Sequence, residues 1–399
     1  MSRLSLAILG ALIAGLVAGT VIAGSTAGDT AHALAAPLGK FWLDALTMTV
    51  VPLVFSLLVT GIMSAAAEAS GGRVATRALL WFALLLVAVS VVGGLVAELV
   101  LGVAPVPAAA SALQATGGGG PAVPATLPWL DSITPVNPVR AAADSAMIPL
   151  VGFALLFGLA ASRIEDPLRA SLAQLFEAVA QTMLRIVHWI LVVAPIGVFA
   201  LAFDVGLRMG AGVAGVLAHY VAVVIVTILL TTALAYVAAT VFGRIGIVHF
   251  ARAALPPQII AISTQSSLAS LPAMIEAAPA LDVARADAGV VLPLAVSLFR
   301  AASAAANVAV VLYLAALHGV PVGIGSFAAG TVIAAIVSVA AVGLPAQVSF
   351  FAIIAPVCLV MGVPVVLLPL LLAIETIPDL FRTLGNVTWD LAVTRIAAR

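Results

Sequence analysis

Cysteine, lysine and tyrosine are nearly missing from this chain, which has one cysteine, Cys358, one lysine, Lys40, and three tyrosines. A single cysteine excludes an internal disulfide framework and any metal cluster built on thiolates. Charge is scarce too. Asp, Glu, Lys and Arg make up 8% of the 399 residues and cancel to a formal net charge of zero. That excludes the basic footprint of a nucleic-acid partner and a polybasic membrane-binding tail.

What is present is hydrocarbon. Hydrophobic residues are 64% of the chain and mean hydropathy is +1.29, which excludes a soluble globule and predicts an all-α integral membrane protein whose main partner is the lipid bilayer. The apolar run over 4–23 follows Arg3 and precedes Thr30-Ala31-His32-Ala33, a pattern shared with secretory signals. It is read as a span, because a signal's apolar region is only about 7 to 15 residues long.

Apolar runs place spans at about 4–27, 41–66, 78–104, 145–162, 179–204 and 212–243. Beyond residue 250 the pattern changes. Pro256-Pro257-Gln258, Ser263-Thr264-Gln265-Ser266-Ser267 and Gly343-Leu344-Pro345-Ala346-Gln347 interrupt the apolar segments. Irregular backbone at membrane depth survives only where protein or a water-filled cavity satisfies it, so the breaks predict re-entrant hairpins around a site. The stretch 105–136, rich in Pro, Ala and Gly, reads as an extramembrane loop. Eight spans plus two hairpins put Arg3, Arg73, Arg77, Arg163, Arg169, Arg244, Arg252, Arg285, Arg395 and Arg399 on one side, with Lys40 and Arg208 on the other. The positive-inside rule then places both termini in the cytoplasm, and the expected location is the inner (plasma) membrane.

The last span carries the densest chemistry: Glu375, Asp379, Arg382, Asn386 and Asp390. At about 100° per residue these five fall within an arc of about 80°, one stripe of a helix. Each charge at the bilayer centre costs about 2.5 to 3.5 kcal/mol, so the stripe must face a polar interior. Helix-locking ion pairs, Asp379 with Arg382 first among them, are the structural alternative. The functional reading is a receptor: a guanidinium offers a bidentate fork to a carboxylate, and an aspartate accepts from an ammonium. Glu375 and Asp390 sit among like charges, which makes them candidate carriers of coupling protons.

At this point the sequence resembles the dicarboxylate/amino acid:cation symporters, the family that includes the glutamate transporters. The resemblance covers nearly the whole chain. It rests on Pro37-Leu-Gly-Lys-Phe-Trp42, Val50-Val-Pro-Leu-Val-Phe55, Asn137-Pro138, Pro149, Phe153, Phe157-Gly158 and Ala194-Pro-Ile-Gly-Val-Phe-Ala200. Most specific are Thr264-Gln-Ser-Ser-Leu-Ala-Ser-Leu-Pro272 and the 379–390 stripe. It implies a homotrimer in which a scaffold, residues 1–66 and 137–207, anchors a transport domain that moves like an elevator. That domain takes in span 3 at 67–104 and residues 208–399, with span 6, a hairpin at 250–275, span 7, a hairpin at 325–363 and span 8. The resemblance implies that Asp379 holds the substrate's α-ammonium and Arg382 its side-chain carboxylate. Thr383, Asn386, the hairpin serines Ser266 and Ser267, and Pro345 of the second hairpin would complete the binding set. That second tip, 343–349, reads Gly-Leu-Pro-Ala-Gln-Val-Ser where the family is richer in glycine.

The stretch 291–317 is almost unbroken apolar and small, yet carries Arg300. Members of the family have Asn-Met-Asp-Gly-Thr here, whose Asn and Asp ligate sodium. This sequence has Phe299-Arg300-Ala301-Ala302-Ser303. Phenylalanine and alanine supply no side-chain oxygen, so the sodium sites read as degraded. Arg300 is expected to stand in for coupling sodium, balancing Asp390, Glu375 or Asp379 with Ser303 nearby, unless it snorkels to an interface. No metal or other cofactor is expected, protons apart. The expected function is secondary active transport of acidic amino acids such as aspartate or glutamate, sodium-independent, and proton-coupled, exchanging or uncoupled. Alternatives are a cation-coupled dicarboxylate or other amino acid symporter and an anion channel or binding-only receptor on the same scaffold. A membrane hydrolase would need a base near Ser266 or Ser267, and His188, His219, His249 and His318 belong to other regions.

Overall fold

The computed structural model describes residues 3–69, 72–108, 135–210, 212–339 and 346–399, and among these the chain is helical with no strand. The expected loop over 105–136 falls largely outside the described residues, and so does Pro345 with the tip around it. Four helices open the chain: α1 (Arg3–Ile22), α2 (Thr26–Thr47), α3 (Val50–Ala69) and α4 (Arg73–Val103). The short α5 (Pro138–Ala143) follows, then α6 (Met147–Ala161), α7 (Asp166–Val192), α8 (Ala194–Met209) and α9 (Gly212–Val241). Next come α10 (Ile247–Thr264), α11 (Ser267–Ala277), α12 (Arg285–Leu298) and α13 (Ala301–His318). The chain ends in α14 (Ile324–Val339), α15 (Ala346–Met361), the short α16 (Leu368–Leu372) and α17 (Thr376–Ala397).

Among the described residues, five helical runs are long and apolar enough to cross a membrane: 26–68, 73–103, 166–192, 212–241 and 285–318. Two expected spans are divided. The run 41–66 breaks between α2 and α3, and the run 179–204 breaks at Val193 between α7 and α8. Pro52 and Pro195 explain both, since proline has no N–H to give and is tolerated only in a first turn. Each lies in the first turn of the helix that restarts.

Two packing groups emerge. In one, α1 and α2 pack on α8, and α3 packs on α6 and α7. Trp42 lies over Gly197 and donates its indole N–H to the Ile190 carbonyl at 3.0 Å, while Phe55 meets Phe153, Phe157 and Phe176. In the other, α13 is the axis, packed by α4, α9, α14 and α17. Nearly every α13 side chain is buried, and its alanines let neighbouring backbones close in. A Cβ on Gly93 of α4 would lie 2.4 Å from the Ala305 Cβ, and one on Gly385 of α17 would lie 2.5 Å from the Ala302 Cβ. Only glycine fits at those approaches.

The α10/α11 pair and the α14/α15 pair each fold back on themselves. In the first, Gln265 takes the left-handed conformation (φ 55°, ψ 31°) that ends α10, and the Ser266 side chain caps α11 by accepting from the Ala269 N–H. The run 285–318 is broken at Phe299 and Arg300, whose backbones leave the helical region. Phe299 stacks on Phe82 at 5.0 Å between centroids and stands edge-on to Trp389 at 6.4 Å.

Candidate functional site

The break between α12 and α13 leaves the first N–H groups of α13 without helical partners, and Arg300 at the N-cap supplies no side-chain acceptor. Asn386 of α17 does that work from across the interface. Its Oδ1 accepts from the Ser303 N–H at 3.1 Å, and its Nδ2 donates to Ser303 Oγ at 2.8 Å. The amide therefore clamps the broken run onto α17, which brings Arg300 and the α17 stripe together.

One turn before Asn386, Arg382 is buried in a network drawn from three further elements. Its Nε lies 2.7 Å from Glu375 Oε1, an ion-pair contact outside hydrogen-bonding geometry, and its Nη1 donates to Asn307 Oδ1 at 2.6 Å. Nη2 has no hydrogen-bond partner among the described residues. Tyr220 of α9 donates to Glu375 Oε2 at 3.1 Å, and Asn307 reaches the Ser338 hydroxyl of α14 at 3.5 Å. A cavity of about 20 Å³ lies beside this network, walled by Arg300, Ser303, Asn307, Phe350, Ile353, Glu375, Asp379 and Arg382. That is room for about one water molecule.

Asp379 is partly buried and feels both Arg382 and Arg300, while Asp390 is buried with neither carboxylate oxygen hydrogen-bonded among the described residues and faces the charge of Arg300. Burying a carboxylate is costly unless charge balances it, so these two acids need Arg300 where it is. The alternative of an Asp379–Arg382 helix lock is not the contact that forms: Glu375 takes the guanidinium instead. A larger cavity of about 1370 Å³ lies between α3, α7 and α12, lined by Thr60, Ser64, Arg185, His188 and Ser297 among others. No α17 residue lines it. The small cavity is the better candidate because three acids and two arginines converge on or beside it.

The structure thus brings together Arg300, Ser303, Glu375, Asp379, Arg382, Asn386 and Asp390. Thr383 lies on the same helix, but its hydroxyl donates to the Asp379 carbonyl one turn back. Ser266 and Ser267 are half-buried at the α10/α11 turn and are not walls of the small cavity. Pro345 lies outside the described residues. Tyr220 and Asn307 were missed by sequence reasoning. The signal was faint: one of two phenols in the apolar run of α9, and one amide among the alanines and valines of α13.

Apolar helices long enough to cross a membrane, closed around a buried charged cavity, define a multi-pass membrane protein. Residues 4–399 match the sodium:dicarboxylate symporter family, and the chain belongs to that family. Its relatives include the C4-dicarboxylate transport protein of Azorhizobium caulinodans, 28% identical over 64% of this chain and 58% of that protein. The proton/glutamate-aspartate symporter of Escherichia coli K12 is 26% identical over 73% of this chain and 68% of its own length. A C4-dicarboxylate transport protein of Solibacter usitatus is 29% identical over 65% and 62%. The chain spans roughly three fifths to two thirds of the lengths of these relatives.

Proposed function

We propose that the protein is a secondary active symporter of acidic amino acids, aspartate or glutamate, which it moves with protons and without sodium. The observation that carries this reading is the buried guanidinium of Arg382, held by Glu375 and Asn307 with Nη2 unpartnered among the described residues, beside a second acid, Asp379. A guanidinium takes a carboxylate through two parallel N–H donors, and Asp379 suits an ammonium. The cavity of about 20 Å³ is too small for an amino acid, so the substrate carboxylate must displace the carboxylate that Glu375 keeps against Arg382.

Charge balance supports proton coupling. Glu375, Asp379 and Asp390 against Arg300 and Arg382, three minus two, leave one negative charge in excess. An anionic substrate deepens the excess in a medium that tolerates it poorly. A proton on Glu375 both removes a charge and releases Arg382. Sodium-independence rests on Phe299, whose ring is packed between Phe82 and Trp389, and on the fixed charge of Arg300 beside Asp379 and Asp390.

A second reading, C4-dicarboxylate symport, is favoured by the two guanidiniums on one cavity, Arg300 and Arg382, and by the names of two relatives. Asp379 opposes it, since it would repel a diacid and leave no ammonium to pair. The remaining architecture belongs to the same proposal: eight spans, α10/α11 and α14/α15 as re-entrant hairpins, and an elevator of the α13-centred group against a scaffold. So do a homotrimer and a plasma-membrane location.

Counterflow in proteoliposomes tests the reading. Labelled aspartate should accumulate against unlabelled internal aspartate, an inward proton gradient should accelerate net uptake, and external succinate should compete poorly. No counterflow would mean a channel or receptor. Equal competition by succinate would move the assignment to dicarboxylates.

A further inference from the structure

At the end of the bundle that holds the C-terminus, four arginines from three places in the chain gather around the last turn of α9. Arg395 of α17 donates through Nε to the Gly243 carbonyl and through Nη1 to the Asp282 carbonyl, both at 2.9 Å, and Arg399 donates to the Phe242 carbonyl at 3.1 Å. These two have a structural reason to be there: cations at a helix C-terminus satisfy its free carbonyls and its dipole. Among the described residues Arg77 and Arg244 make no such carbonyl contact. Both are exposed, and their charges act on Arg399 together with that of Arg395. Among the described residues the ion-pair partner of the group is Asp282, 3.8 Å from Arg395. Two cations would have sufficed to cap α9. The other two add like charge at an exposed mouth, which favours an anion there.

The surface below the arginines is apolar and aromatic. Trp81, one turn after Arg77, packs on Phe242 with ring centroids 5.8 Å apart. Leu80 and Leu84 of α4 and Val237 and Val241 of α9 are exposed beside them, on two helices that pack together and are long and apolar enough to span a membrane. Guanidiniums at the mouth, aromatic rings beneath them and aliphatic side chains along the shaft follow the order of a phospholipid from headgroup to acyl chain.

We propose that this corner binds an anionic phospholipid, its phosphate among Arg77, Arg244 and Arg399 and its acyl chains along the exposed face of α4 and α9. The ligand class is an anionic lipid rather than a soluble anion, because the charged mouth opens onto a lipid-facing wall. The site is separate from the transport site and does not rest on the function proposed above.

The test is quenching of Trp81 fluorescence in vesicles, taken as the difference between the full-length protein and its Trp81→Phe variant. Brominated phosphatidylglycerol should quench severalfold more strongly than brominated phosphatidylcholine at the same fraction of lipid. In Arg77→Gln/Arg244→Gln, which leaves the carbonyl contacts of Arg395 and Arg399 in place, the two lipids should quench alike. Arg77→Gln alone should give an intermediate preference, which covers the case of a double variant that does not fold. Excess inorganic phosphate should leave the preference intact. Equal quenching by both lipids in the unaltered protein, an unchanged preference in the variants, or reversal by phosphate would overturn the proposal.

Discussion

Arg382 can hold only one carboxylate on its free edge, and in the structure Glu375 holds part of that edge while Asn307 holds another donor. Arg382→Ala should therefore weaken aspartate binding by at least about 2 to 3 kcal/mol, since it removes a charge-assisted pair and leaves buried acids uncompensated. Equilibrium binding of labelled aspartate checks this. Glu375 carries the sign of the pH dependence. Protonation frees Arg382, so aspartate affinity should rise as pH falls through the titration of Glu375, and Glu375→Gln, a permanently neutral side chain, should bind with little dependence on pH. A Glu375→Gln profile as steep as that of the unaltered protein would assign the proton elsewhere, Asp390 first. Most of this chemistry was legible in the sequence, because 375, 379, 382, 386 and 390 repeat at helical spacing. The partners were not. Tyr220 and Asn307 reach Glu375 and Arg382 from α9 and α13, and no spacing within α17 encodes what another helix brings to it.

The break between α12 and α13 is held by two devices, the Asn386 clamp on Ser303 and the packing of Phe299 against Phe82 and Trp389. Phe299→Ala should cost about 3 to 5 kcal/mol, the loss of a fully buried aromatic side chain. Gly385→Val should be at least as damaging, because a Cβ there lies 2.5 Å from Ala302 and 2.6 Å from Thr232 Oγ1. Thermal unfolding in a fixed detergent measures both, and a Gly385→Val protein as stable as the parent would show that α17 and α13 are not so closely apposed. Long apolar runs were readable because lipid imposes their length and composition. Their interruptions were read unevenly. Hydropathy carries straight through Pro52 and Pro195, which split α2 from α3 and α7 from α8, and through Phe299 and Arg300, where the charge stands out in the sequence but the helix break does not.

The elevator proposed above would work with two packing groups and a cleft of about 1370 Å³ between α3, α7 and α12, and the charged cavity lies within the α13-centred group. At this scale the sequence spoke through resemblance more than through physics: the family was legible in motifs spread along the chain, but which helices share a core depends on contacts between residues far apart in sequence. The departure from the family is local. Where the resemblance implies sodium ligands, the chain has a packed phenylalanine, two buried alanines and an arginine whose charge faces Asp379 and Asp390. On the proposal above, a fixed internal cation replaces a dissociable one, and substrate binding should show no dependence on sodium. The direct measurement is calorimetric aspartate affinity in choline and in sodium buffer, for the unaltered protein and for Arg300→Met. The account predicts the same affinity in both buffers for the unaltered protein, and weaker binding by Arg300→Met that sodium does not restore. A rise of about tenfold or more with sodium in the unaltered protein, about 1.4 kcal/mol, would contradict it and require a cation held by other oxygens.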